Sequence, residues 1–359
     1  MSFDFRSDTV TKPTDAMRKA MYRAEVGDDV YGEDPTITRL EETMADIFGM
    51  EAGVFVTSGT QGNLLALMAH CSRGDEYIVG QLAHTYKYEG GGGAVLGSIQ
   101  PQPLDFNDDG SIDLELARQA IKPDDDHFAN TRLFCLENTQ AGRALSMEYL
   151  DDAAQFVKST QLAFHLDGAR VFNAAVFHDV EVDRITSRFD TVSCCFSKGL
   201  GAPVGSILCG GQETIRVARR WGKLVGGGMR QGGVIAAAAL HAVENHVERL
   251  QDDHDNAKWI AEQLSEVEGI DVIFHKMQTN MIFVTVRDGR VQELARFLRN
   301  RDIVVTPGEP MRLVTHLDVD RDAAVQLVDG VKDFMDKARA DMSASTPVLT
   351  SSYGFSNDA

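Results

Sequence analysis

Three stretches place reactive side chains at the ends of apolar runs. "TVSCCFSKGLGAPVG" (191–205) carries a single amine, Lys198, behind an apolar strand pattern and ahead of glycines too small to cover it. "LAFHLDGAR" (162–170) ends a second such run on the carboxylate of Asp167, with Arg170 three residues on. "FVTSGTQGN" (55–63) leads into the helical pattern "LLALMAH", so Ser58, Gly59 and Thr60 would offer N–H groups and hydroxyls at a helix N-terminus, a ready anion cradle. Taken singly, each has a plainer reading. Ser and Thr cap helices everywhere, a carboxylate after a strand caps turns, and a lone lysine is usually a solvated charge. Together they match the needs of pyridoxal phosphate. Its aldehyde takes a lysine, its pyridine nitrogen takes an aspartate that keeps it protonated, and its phosphate takes a helix N-terminus. His84, closing "VGQLAH", is placed to stack on the ring.

The elements that must hold these groups read as α/β. "AGVFVTS", "EYIVGQ", "TRLFCLEN", "LAFHLDG", "TVSCCFS" and "GSILCGG" are short apolar runs separated by longer helical patterns. Their near-continuous apolar character predicts a mostly parallel sheet covered on both faces, with function at strand ends. From about Glu244 a charged helical stretch leads into "MIFVTV", "MRLVTHL" and a last amphipathic helix. This predicts a large domain over 1–245, a smaller α+β domain over 246–340 and a flexible Ser/Thr-rich tail over 341–359.

Composition narrows the function. Lys and Arg total 35 against 54 Asp and Glu, a net charge of -19, which repels nucleic acid and anionic membranes. The five cysteines are odd in number and form no CxxC pair, which argues against a disulfide framework or a zinc site. No export signal or stretch of ~18 apolar residues is visible, so a cytoplasmic location is expected. "DFNDDG" (105–110) opens like a calcium loop but has Leu116 where a bidentate Glu is needed, and reads as a turn. His241 and His246, five apart, do not share a helix face, and no metal site is expected.

In order, "FRSDTVTKPTDAM", "VGDDVYGEDPT", "SGTQGN", "GDEYIVG", "AHTYKYEGGG", "HLDGAR", "SKGLGAPVGS", "GGGMRQ" and "RLVTHLDV" resemble the low-specificity L-threonine aldolases, from about residue 3 to residue 338. The resemblance implies PLP-dependent fold type I with a seven-stranded sheet. It also implies a homotetramer with shared active sites, and retro-aldol cleavage of β-hydroxy-α-amino acids, L-threonine and L-allo-threonine among them, to glycine and an aldehyde. By the same resemblance Lys198 is the Schiff-base lysine, Asp167 the ring-nitrogen partner, and Arg170 a ligand of the ring hydroxyl and substrate carboxylate. Ser7 and Arg312 complete the carboxylate clamp. Ser58, Gly59, Thr60 and Ser197 hold the phosphate, with Arg230 reaching it from a neighbouring subunit. Tyr31 sits at the mouth, and His84 and His127 flank the β-hydroxyl, His84 being the favoured base. "LENTQAGR", Tyr88 and the long C-terminal stretch depart from the family pattern. The rival reading is another PLP-dependent lyase acting by β-elimination, or an aminotransferase.

Overall fold

The computed structural model describes residues 2–274 and 277–345. Twelve strands run in chain order: β1 (Phe3–Asp4), β2 (Ala52–Val56), β3 (Glu76–Gly80), β4 (Gln100–Leu104), β5 (Thr131–Glu137), β6 (Ala163–Asp167), β7 (Thr191–Cys195), β8 (Ser206–Gly210), β9 (Ile270–Val272), β10 (Met281–Val286), β11 (Ile303–Val304) and β12 (Met311–Val314). Seven of them form one sheet in the order β2-β8-β7-β6-β5-β3-β4, in which β8 alone runs antiparallel to its neighbours. Every residue of β3, β7 and β8 is buried, as apolar runs covered by helices on both faces require. The six runs read as strands are therefore strands, and the sheet is α/β as expected.

The seventh strand, β4, escaped the sequence. "QPQPL" has two prolines, which lack ladder donors, and such a strand survives only at a sheet edge, which is where β4 lies. "DFNDDG" is a turn, as read. Asp109 accepts from the main chain and hydroxyl of Ser111, and Gly110 takes φ +88, a conformation that favours glycine.

The helix Gly59–His70 packs on this sheet and is buried almost all round from Gly62 to Met68. Its outer side meets the helix Gln212–Leu224, so an all-apolar pattern is what its position demands.

A second core gathers Phe5 with residues of the helices Leu250–Ser265, Val291–Arg299 and Arg321–Ser345 and of the antiparallel sheet β12-β10-β9. The first residues belong to this core by pairing. β1 runs parallel to β11, and Val314 donates its N–H to the Phe5 carbonyl at 2.9 Å. We propose a domain boundary near residue 245 from this separation of cores, with the N-terminal strand strapped across it. The last helix continues to Ser345, so the stretch read as a tail is helical over its first five residues, 341–345; residues 346–359 lie outside the described residues.

Candidate active site

Because β2, β3, β5, β6 and β7 all point the same way, their C-terminal ends share one edge of the sheet, and that edge collects the chemistry. Beyond β2, Ser58 caps the helix Gly59–His70 by accepting from the Gln61 N–H at 3.2 Å. A Cβ on Gly59 would lie 2.7 Å from the Cys195 Sγ, so only glycine lets this helix start so close to the end of β7. Thr60 follows, partly buried. Beyond β7, Ser197 and Lys198 sit partly buried in a loop that turns back into β8. The turn is closed by the Gly201 N–H on the Lys198 carbonyl at 2.9 Å, with Gly201 at φ +80.

Asp167 ends β6 and is 3% exposed. One carboxylate oxygen accepts from Asn63 Nδ2 at 2.8 Å and the other from the Ala169 N–H at 3.1 Å. His84, just past β3, exchanges a 2.8 Å hydrogen bond between its Nδ1 and Glu89 Oε1. Ligating atoms of His84, Glu89 and Asp167 all lie within 4.8 Å of one another. The main-chain N–H of His84 donates to Glu137 at the end of β5. Three carboxylates thus crowd one edge. Burial and the Asp167 charge push Glu137 well above the ordinary carboxyl range, and burial also raises Glu89 against the pull of its bond to His84. The His84 imidazole is raised, first by its hydrogen bond to Glu89 and then by the Asp167 charge, against burial and Lys198.

Arg170 follows β6 and is committed to a partner the sequence analysis had not assigned. Its Nε and Nη2 clamp the carboxylate of Asp8 at 2.7 and 2.6 Å, leaving Nη1 for another acceptor. Asp8 is fully buried and its pKa drops to about 2 despite burial, chiefly through the Arg170 charge. Ser7 caps the 3-10 turn Asp8–Val10, and Arg312 on β12 donates to the Arg6 carbonyl at 3.2 Å. Ser7 and Arg312 therefore bracket the same Asp8–Arg170 pair from opposite ends of the chain.

Asp8→Asn leaves a buried guanidinium without its counter-charge and is expected to destabilise the fold by about 3–5 kcal/mol. The folded pKa lies below the ordinary 3.8, so the charge contributes roughly 2 kcal/mol above pH 4, lost as pH falls through about 2. Melting curves between pH 2 and 7 check this, since the variant should lack that part of the acid slope. Equal melting temperatures at pH 7 would contradict the assignment.

Three expected site residues do not join this cluster within one chain. His127 precedes β5, so it lies towards the opposite edge of the sheet from Asp167; its side chain is 87% exposed and bonds Asp125 at 2.6 Å. Arg230 pairs with Asp28 at 2.8 Å and accepts from the Asp29 N–H on its carbonyl at 2.9 Å, and Tyr31 is 75% exposed. Strand direction explains the first: a residue ahead of a parallel strand cannot reach the end where the strand finishes. All four buried side-chain polar atoms without a hydrogen-bond partner among the described residues flank the populated edge. They are Asn138 Nδ2 and Thr139 Oγ1 after β5, Ser206 Oγ at the start of β8, and Asn280 Oδ1, whose own Nδ2 reaches Asp8.

The model of the beta-eliminating lyases matches residues 4–288. The low-specificity L-threonine aldolase of Escherichia coli K12 is 50% identical over 332 residues, which cover 92% of this chain and 99% of that protein. The chain belongs to the low-specificity L-threonine aldolase family. A relative from Arabidopsis thaliana, low-specificity L-threonine aldolase 1, is 46% identical over 87% of this chain and 90% of its own. The fold agrees too: the threonine aldolase of Leishmania major superposes with a TM-score of 0.79 at 21% identity, covering 93% of this chain and 99% of that one.

Aldolases of this family depend on pyridoxal 5'-phosphate, and the edge fits it. Gly59 opens a helix N-terminus, the Asp167 carboxylate is buried, Lys198 lies on the neighbouring loop, and unpaired buried polar atoms surround them. Asp8, Asn63, Glu89 and Glu137, which the structure brings to this edge, were not among the residues the sequence pointed to. Asp8 and Asn63 stood inside the motifs already quoted, beside Ser7 and after Gly62, but nothing in the spacing says that they face inward.

Proposed function

We propose that this chain is a pyridoxal-phosphate aldolase that cleaves L-threonine, L-allo-threonine and other β-hydroxy-α-amino acids to glycine and an aldehyde. The observation that carries this reading is the meeting of Asp167, Lys198, the Ser58–Thr60 helix start and His84 at one sheet edge. Bound there, the cofactor supplies an electron sink for the negative charge left on the substrate Cα when the Cα–Cβ bond breaks.

The chain's own residues do the rest. Ser58, Gly59, Thr60 and Ser197 would hold the phosphate, Asp167 would pair with the ring nitrogen, His84 would cover the ring, and Lys198 would supply the amine for covalent attachment. Arg170, through its Nη1, with Ser7 and Arg312, grips the substrate carboxylate and so fixes which Cα bond stands ready to break. His84 accepts the β-hydroxyl proton. Its hydrogen bond to Glu89 raises its basicity, and such proton transfer contributes about 10²- to 10⁴-fold.

Arg230, Tyr31 and His127 act in this reading only across a subunit boundary, which supports a homotetramer with shared sites. Exposed Tyr22, Tyr31, Val95 and Leu224 supply apolar surface for such contacts. No helix among the described residues is long and apolar enough to cross a membrane, and a cytoplasmic location is proposed.

The test is product analysis. Incubated with L-threonine and L-allo-threonine, the purified protein is expected to release equal amounts of glycine and acetaldehyde, and nothing from the D-isomers. Ammonia and a keto acid would point to β-elimination instead.

A further inference from the structure

Behind the site, one buried carboxamide uses its full hydrogen-bonding capacity. Asn63, 1% exposed, donates from Nδ2 to Asp167 Oδ2 and to Glu89 Oε1, both at 2.8 Å. Its Oδ1 lies 2.6 Å from the Ser193 hydroxyl and 3.1 Å from His165 Nε2. The chain continues along the interface of helix and sheet: His165 Nδ1 lies 2.9 Å from Thr191 Oγ1, and that oxygen lies 2.9 Å from His70 Nε2.

The chemistry of these partners fixes every proton in the chain. Turning the amide over would set its oxygen against two carboxylates, so Nδ2 must face them. Oδ1 then needs donors, which places the His165 proton on Nε2 and leaves Nδ1 to accept from the Thr191 hydroxyl. Thr191 in turn accepts from His70 Nε2–H. His165 is neutral enough to serve, since burial drops its pKa to about 4.

The other end of the chain meets the proposed base. Glu89 Oε1 accepts from Asn63 and also bonds His84 Nδ1, and both bonds are strongest to an ionised carboxylate. Burial and the neighbouring Asp167 charge favour a proton on Glu89, whereas its bonds to His84 and Asn63 oppose one. A proton on Glu89 Oε1 would be donated to His84 Nδ1 and put the ring proton on Nε2, which could then not act as the basic nitrogen.

We infer that Asn63 is a positioning residue that keeps Glu89 an acceptor, so that neutral His84 carries its proton on Nδ1 and keeps Nε2 as its basic nitrogen. This deepens the aldolase reading and rests on it for the role of His84 as base. The charged and titratable groups around that imidazole are Glu89 on the loop after its own helix, Tyr88 beside it, Glu137 at the end of β5, Asp167 at the end of β6 and Lys198 after β7.

Nitrogen-15 NMR of the histidines in the cofactor-loaded protein tests the inference. In the wild type, above the His84 pKa, the Nδ1–H form of His84 and the Nε2–H form of His165 are expected. Asn63→Asp keeps an oxygen for Ser193 and His165 but sets a third carboxylate against the other two. It is expected to move the His84 tautomer ratio at least tenfold towards Nε2–H and to lower kcat/KM for L-threonine at least tenfold.

Should that variant not fold, Glu89→Gln reads the same link: without the carboxylate, the acid limb of kcat/KM, set by His84, should fall by about one pH unit or more. A wild-type His84 protonated on Nε2, an unchanged tautomer ratio in folded Asn63→Asp, or an unmoved acid limb in Glu89→Gln would overturn the inference. If wild-type protein shows the expected tautomers but does not release acetaldehyde from L-threonine, the aldolase reading fails and the hydrogen-bond assignment stands.

Discussion

Lys198→Ala is expected to abolish steady-state turnover and the visible absorption of the bound cofactor. The loop between β7 and β8 brings this amine to the edge where Asp167 and the Ser58 helix start meet, and among the residues gathered there it alone can attach covalently to an aldehyde. Its loss removes both the attachment and the means of exchanging product for substrate. Lys198→Arg separates chemistry from charge. The guanidinium keeps the positive charge near Asp167 and Glu137 but is not a nucleophile at working pH, so this variant should be as inactive as the alanine one. Spectra and acetaldehyde release measured on both variants check the assignment. Normal turnover in either would remove Lys198 from the reaction.

Asp167→Asn is the second large effect. The carboxylate sits at the end of a central strand and accepts from Asn63 and the Ala169 N–H, so an amide of the same shape fills the volume but turns its NH2 against one of these donors. What it cannot supply is the negative charge. Breaking a buried ion pair costs about 3–5 kcal/mol, and where that charge is needed in the transition state the loss corresponds to about 10²- to 10⁴-fold in kcat. Some cofactor should remain bound, because the phosphate cradle at Ser58–Thr60 is untouched. Turnover at the wild-type rate in a cofactor-loaded Asp167→Asn protein would exclude the carboxylate from the ring-nitrogen role.

The sequence carried the central strands well because a parallel sheet buried on both faces writes itself as continuous apolar runs, as in "TVSCCFS" and "EYIVGQ". It carried β4 badly, since an edge strand can contain Pro101 and Pro103 and so carries no such signature. Residues that end strands, Asp167 and Lys198 among them, were legible by type and position together. Asn63 was not: a single polar residue in the second turn of an apolar helix gives no sign of its role, and only the packing of that helix on β6 and β7 reveals its four hydrogen bonds. His127 shows the opposite limit. A motif match carries a residue type from one chain to another, but whether that residue reaches the site in one chain or by way of a second depends on strand direction, which the motif does not encode.

The strap of β1 onto β11 has a consequence for how the protein is made. Ser7 and Asp8 are made long before the partners of their segment: Phe3 pairs with Ile303, Phe5 receives the Val314 N–H, and the Asp4 carbonyl accepts from His316 Nε2 at 2.7 Å. Domains generally fold as units during translation, the N-terminal one first, so the seven-stranded sheet can be complete while the first eight residues still wait unpaired. In that interval Arg312 is still missing, and Asp8 meets Arg170 without the strand pairing that holds its segment in place. A nascent chain stalled after residue 260 should therefore hold a formed sheet with an open carboxylate site, and an N-terminal fusion that hinders docking of Phe3 and Phe5 should weaken substrate binding while leaving the sheet intact.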